Sequence, residues 1–368
     1  MLTQKEHKNM KQLTTFFLLL ITTICISQKN GLFADSIRKA FQIPEINYAV
    51  ITGNNVLEIE AMGKHSIDLQ DTATLNDRFH LGSNTKAMTA FMIAKFVEKG
   101  KLKWTTKFFD VFPEWKKNSK AAYFNITLQD LLTHKALIQP FQGDNDPEIP
   151  PFKGTNPSKR KQFGQFVLTL EPAKIDSTQK FVYSNAGYTL AALMVEKVTN
   201  KSWEALMEQV FNKDLKLNVK FSWPENQKQK DTWGHSFEND QLKPIPSSSE
   251  SHLDYTEPAG DLNMKLKDYI KYIQLNLQGL SGKDNYLKSK TYKFIHTGFE
   301  NYSLGWYNII ENGTELSTHS GTAFTYYTLV HIDRITRKAF IIFTNSFNPN
   351  TQQGVRLLMR KLKESWNH

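Results

Sequence analysis

A serine three residues ahead of a lysine can be a nucleophile with its own base, because positions i and i+3 share one face of a helix. Four such pairs occur in the 368 residues: Ser36–Lys39, Ser83–Lys86, Ser158–Lys161 and Ser177–Lys180. Spacing alone does not separate them, so context has to. Serine acylation needs a deprotonatable hydroxyl, a base within reach and donors for an oxyanion. A helix N-terminus helps twice: its first N–H groups have no intrahelical partner, and its partial positive charge favours a neutral lysine. FHLGSNTKAM at 79–88 fits this need: Gly82 allows a tight entry, and Ala87, Phe91 and Ala94 recur at helical spacing up to Gly100. Ser36 lies in a short amphipathic segment, Ser158 in a Pro/Gly-rich loop, and Ser177 ahead of a strand-like FVY. Those three are read as structural.

A proton relay and a substrate cradle are also required. FVYSNAGY sets Tyr183 and Asn185 two apart in a turn before a helix. Tyr123 and Asn125 repeat the pattern but lead into ITLQDLL, where Tyr123 is expected to pack and Asn125 or Thr127 to cap. H-x-G occurs at His319-Ser320-Gly321 and at His296-Thr297-Gly298. The first lies between two strand-like runs, where backbone N–H groups can face the nucleophile; the second ends a helix and is read as structural. His134 and His235 are read as structural too.

The elements that must carry these residues follow from periodicity. After an amphipathic start (GLFADSIRKAF), INYAVITGNNVLEIEAMG reads as a hairpin around Gly53-Asn54-Asn55. From about 104 to 250 the chain reads as helical segments and long polar loops, with 143–164 as a surface insertion. NAGYTLAALMVEKVTNKSWEALMEQVF reads as two helices joined at Thr199-Asn200, and DLNMKLKDYIKYIQLNLQG as one amphipathic helix. SLGWYNII, TELSTHSG, TAFTYYTLVHID and RKAFIIFTNS read as strands, followed by a closing helix. The expected fold is α/β (α+β): an antiparallel sheet built from both chain termini and flanked by helices, around 28–82 and 257–368, with a mainly helical subdomain inserted at 83–256.

Residues 1–27 have the anatomy of a secretory signal peptide: three lysines, an apolar run from Leu13 to Ile26, then cleavage expected after Ser27. Met10 is an alternative start, and lipid anchoring at Cys25 is the weaker alternative to cleavage. The expected location is outside the cytoplasm, periplasmic or secreted. Cys25 is the one cysteine, so the mature chain would depend on its core, not on disulfides. With 40% hydrophobic residues and 25 Phe, 13 Tyr and 7 Trp, that core is ample. The net charge of +10 is dispersed over Lys99–Lys107, Lys116–Lys120, Lys159–Lys161 and Arg356–Lys363, which reads as solvated faces and not as a nucleic-acid site. There is no HExxH, no Cys/His cluster and no glycine-rich phosphate loop, so no metal and no cofactor are expected.

The ordered set GSNTK, YSN and HSG resembles the serine β-lactamase and penicillin-recognising superfamily, nearest its class C β-lactamase, D-alanyl-D-alanine carboxypeptidase and esterase branch. LLTH at 131–134, VYSNAGY at 182–188, EPAGDL at 257–262, YSLGW at 302–306 and FTN at 343–345 resemble further family segments in the same order. The resemblance implies Ser83 as the acylated nucleophile, Lys86 as its base and Tyr183 as proton relay. It implies that Asn185 holds a substrate amide and that His319, Ser320 and Gly321 line the substrate site. The backbone N–H groups of Ser83 and Thr322 would form the oxyanion hole. His319 stands where class C β-lactamases carry lysine, Asp261 where a second glycine is common, and Lys135-Ala136-Leu137 replaces T-S-G. The implied function is an acyl-enzyme hydrolase acting on D-amino-acid peptides or small esters. The alternatives are a working β-lactamase and a non-catalytic binder of cell-wall peptide. The implied partner is a small-molecule or peptide substrate, with peptidoglycan as a candidate; the sequence does not give the oligomeric state, and a monomer is the expectation.

Overall fold

The computed structural model describes residues 27–143, 146–175, 178–225, 231–246, 253–322 and 324–366. The leader up to residue 26, including Cys25, and Ser177 lie outside them. Helix α1 (27–40) is followed by β1 (Glu45–Thr52) and β2 (Val56–Gly63), the expected hairpin. Next come β3 (Arg78–His80), a 3-10 turn at Gly82–Asn84, and α2 (Thr85–Glu98). Helices α3 (Phe108–Val111), α4 (Leu128–Leu132), α5 (Asn156–Val167), α6 (Asn185–Thr199) and α7 (Trp203–Met207) fill the middle of the chain. They lead to β4 (Lys220–Phe221), β5 (Gly234–Glu238), β6 (Gln241–Ile245) and α8 (Glu257–Gly260). The chain ends with β7 (Leu262–Lys265), α9 (Leu266–Leu280), α10 (Ser289–Thr297), β8 (Tyr307–Glu311), β9 (Thr314–Thr322), β10 (Tyr327–Asp333), β11 (Lys338–Thr344) and α11 (Pro349–Trp366).

One six-stranded antiparallel sheet, in the order β2-β1-β11-β10-β9-β8, joins the first hairpin to the last four strands, as the strand-rich ends required. β1 and β11 lie side by side within it, from Ile46 against Thr344 to Thr52 against Lys338. Their alternating side chains feed two cores. Ile46, Tyr48, Val50, Phe340 and Ile342 pack with Val355, Leu358 and Leu362 of α11; Ala49, Ile51, Ile341 and Phe343 join the larger core shared with α2, α6 and α9.

Local readings change, among them that of 262–265, which forms β7 and not the start of one helix with α9. The segment 143–164 is not all loop: Asn156–Val167 forms α5, with Pro157 in the first turn where its missing N–H costs nothing. Its Arg160 is fully buried, so 159–161 is not uniformly a solvated basic face. The inserted region is not all helix and loop either, because β4 joins β3 and β7 in a second sheet and β5–β6 form a hairpin. Asn125 does not cap α4. It accepts from Lys107, while Thr127 and Asp130 make a reciprocal capping box.

Candidate active site

Two glycines bring the Ser83 turn against the sheet. Gly82 is left-handed at φ 50°, and a Cβ there would stand 2.4 Å from Thr322 N. A Cβ on Gly321 would stand 1.9 Å from Leu81 O and 2.9 Å from Ser83 N. The 3-10 turn therefore lies on β9 at a distance only glycine allows, and the backbone N–H groups of Ser83 and Thr322 lie in this same seam. Thr328 Oγ1 on β10 clips the turn by donating to Leu81 O (2.9 Å) and accepting from Asn84 Nδ2 (2.8 Å).

Ser83 is half-buried and Lys86 fully buried. Lys86 Nζ lies 2.7 Å from Asn185 Oδ1, 3.0 Å from Ala259 O and 3.2 Å from Ser83 Oγ. None of these three partners is a carboxylate, and burial holds the Lys86 pKa well below that of an ordinary lysine. A neutral amine has two N–H donors. The amide oxygen and the carbonyl take both, which leaves the lone pair for the Ser83 hydroxyl. The Tyr183 phenol faces the Ser83 side chain, and Lys86 Nζ lies 4.5 Å from the centre of its ring. Burial pushes the Tyr183 phenol up, so it keeps its proton and can donate it.

Asn185 is anchored at both ends of its amide: Oδ1 accepts from Lys86 and Nδ2 donates to Phe141 O at 2.7 Å. In this resting geometry it orients the lysine, a different task from holding a substrate amide. His319 is buried, with Nδ1 2.6 Å from Ser320 O and Nε2 3.1 Å from the Tyr302 hydroxyl. The short contact to a carbonyl places the proton on Nδ1, so Nε2 accepts from Tyr302. Burial pushes His319 down, leaving the ring neutral. Ser320 is paired with Leu329, whose side chain packs in the α11 core, so its side chain faces away from Ser83. Gly321 contributes through close approach of its backbone.

Several residues escaped the sequence reading. Tyr302 and Tyr307 pack edge-to-face, with centroids 4.7 Å apart, beside Tyr183 and His319. His134 has the bonds of a structural residue, accepting from Ser184 N, but its ring lies 4.4 Å from that of Tyr183 and walls the site. The LLTH and YSLGW segments carried the signal for both walls. His296 is structural, buried and bonded to Asn276 at 3.0 Å. Tyr123 packs in the core. Among the described residues no group of three or more His, Cys, Asp or Glu side chains could hold a metal ion.

A family profile described as Beta-lactamase matches residues 33–362. The chain belongs to the Beta-lactamase family. Protein flp of Staphylococcus aureus (strain N315) is 22% identical over 311 residues, which cover 82% of this chain and 60% of flp. The chain thus spans about 60% of the length of the curated relatives it matches. An octameric penicillin-binding protein homologue from Pyrococcus abyssi superposes with a TM-score of 0.73 at 21% identity, covering 92% of this chain and 76% of its own. FmtA from Staphylococcus aureus gives 0.68 at 19% identity, covering 90% and 88%. A class C β-lactamase variant gives 0.71 at 16% identity, covering 92% and 98%. These superpositions establish the fold, which belongs to a family of serine hydrolases.

Proposed function

We propose that the protein is an exported serine hydrolase that passes through an acyl-enzyme on an amide or ester substrate. The observation that carries this is Lys86: a buried amine whose two N–H donors are used, 3.2 Å from the Ser83 hydroxyl. In the first step Lys86 Nζ takes the Ser83 proton while Oγ attacks the substrate carbonyl, and the N–H groups of Ser83 and Thr322 receive the oxyanion. The tetrahedral adduct collapses as Tyr183 gives its proton to the leaving amine or alcohol, and Lys86 returns the proton it took to the Tyr183 oxygen. Water then enters and attacks the acyl carbon as it loses a proton to the same Lys86–Tyr183 pair, and the pair hands that proton to Ser83 Oγ as the bond to the acid breaks. Export is supported by the lysine-then-apolar pattern of residues 1–27. No helix of the described residues is long and apolar enough to cross a membrane.

D-amino-acid peptides and small esters fit this chemistry. His319 refines the choice. Neutral and engaged at both nitrogens, it supplies no charge to a substrate carboxylate, so substrates uncharged beside the scissile bond are favoured. The test is an intact-mass time course with a fluorophosphonate and an activated neutral ester. A single adduct mapping to Ser83 is expected, absent in Ser83→Ala, with the thermal melt of that variant nearly unchanged. Labelling of Ser83→Ala at the wild-type rate would place the nucleophile elsewhere.

A further inference from the structure

A buried cation stands behind the reaction centre, outside it. Arg160 on α5 is fully buried, and its guanidinium meets carboxylates from three other helices. Nη1 donates to Glu257 Oε2 at 2.9 Å; Nη2 donates to Glu196 Oε1 at 3.0 Å and Glu204 Oε1 at 2.9 Å. Glu257 opens α8, a single four-residue turn. Next to it, Pro258 O accepts from Thr89 Oγ1 at 2.8 Å; one residue further, Ala259 O accepts from Lys86 Nζ at 3.0 Å. Lys86 and Thr89 are three apart on one face of α2. One end of the turn is thus held by an ion pair and the other end holds the base.

The cluster is poorly arranged for stability. Three carboxylates share one cation, while Glu257 Oε1 and Arg160 Nε are buried without partners. Burial raises Glu196, and raises Glu257 to about 7, in spite of Arg160. Apolar residues packed in such a place often serve stability as well or better. A four-residue helix, in turn, cannot keep its own geometry and depends on what grips it.

We propose that Arg160 and Glu257 are positioning residues of the active centre: their ion pair fixes the Ala259 carbonyl that holds Lys86 with its lone pair on Ser83. The proposal rests on the hydrolase reading above. The charged and titratable groups around Glu257 are Arg160 from α5, Glu196 from α6, Glu204 from α7, and Tyr255 and Asp254 from the turn before α8, with Lys159 paired to Asp254 at the rim. When Glu257 takes a proton it loses its charge toward Arg160, whose other nitrogen keeps Glu196 and Glu204. The grip on α8 weakens, and with it the alignment of the base.

The test is the second-order rate at which a neutral fluorophosphonate labels Ser83, followed against pH, with thermal melts in parallel. The wild-type rate is expected to fall as pH drops through about 7. Glu257→Gln should slow labelling about tenfold, a fraction of the ~10²–10⁴-fold a general base supplies, and should remove that inflection. Arg160→Lys keeps the charge without the fork and should fall between the two. Wild-type labelling rate and pH profile in a folded Glu257→Gln protein would overturn the proposal. Should that variant not fold, a wild-type rate with no inflection near pH 7 overturns it. Failure of the reagent to label wild-type Ser83 at all would instead overturn the hydrolase reading, and this proposal with it.

Discussion

Replacing Lys86 with methionine, similar in length but without an amine, separates the lysine's charge from its packing. Lys86 is fully buried, and burial holds its pKa well below the ordinary 10.5. The unfolded chain keeps the proton up to that ordinary value. Between the depressed native value and 10.5, the unfolded state therefore binds one proton more than the native state, and stability rises with pH. The slope for one proton is about 1.4 kcal/mol per pH unit. Methionine has no such slope. The stability of the variant relative to wild type should therefore fall as pH rises through this window, by on the order of 1 kcal/mol per pH unit. The variant also leaves Asn185 Oδ1 and Ala259 O without the lysine donor, about 1–3 kcal/mol for each, but that offset does not vary with pH. Contributions from every other titrating group cancel in the difference. Urea unfolding of both proteins across this range measures it. A difference that stays flat would mean that the folded protein carries an ammonium at position 86, and the assignment of Lys86 as base would fail.

Tyr183→Phe removes the proton donor but leaves the ring on His134 and Tyr307, so turnover should drop ~10²–10⁴-fold with a nearly unchanged melt; steady-state rates on an activated ester check this, and wild-type turnover would move the relay to another group. Gly321→Ala places a Cβ 1.9 Å from Leu81 O, so β9 and the nucleophile turn must separate. Overpacking of about 1–3 kcal/mol or more and loss of Ser83 labelling are expected, and an unaltered melt would refute the contact. His319→Lys introduces a cation where the wild-type ring is neutral, so kcat/KM on an acyl-D-Ala-D-Ala acid relative to its C-terminal amide should rise about tenfold or more. An unchanged ratio would show that position 319 does not read that charge.

How far the site was legible depends on how local each signal was. That Ser83 and Lys86 meet could be read because they lie one turn apart and because Gly82 and the apolar helix occupy consecutive positions. Tyr183 and Asn185 could be located because a turn before a helix is also a local pattern. What Asn185 does could not be read: its partner Lys86 is 99 residues away, and only the fold decides whether its amide meets a lysine or a substrate. His319 shows the same limit. Its place in β9 followed from alternation, but its neutrality follows from Tyr302, brought beside it by a bend in SLGW that reads as a continuous strand. Ser320 was grouped with His319 by adjacency in the motif, although adjacent strand residues face opposite ways.

Arg160 is the hardest case, and the reason is general. In sequence it sits between two lysines in a segment rich in Pro, Gly and charge, which is the composition of a solvated loop. The three carboxylates that bury it arrive from 36, 44 and 97 residues away, on helices whose inward faces are fixed by other contacts. Nothing within a dozen residues of position 160 distinguishes it from Lys159, which is half-buried, or Lys161, which is exposed. A buried charge is legible only when its partners are, and here all of them are long-range. The same property makes the cluster informative once the fold is known: a charge drawn this deep, behind the turn that holds Lys86, is where a test of long-range positioning should begin.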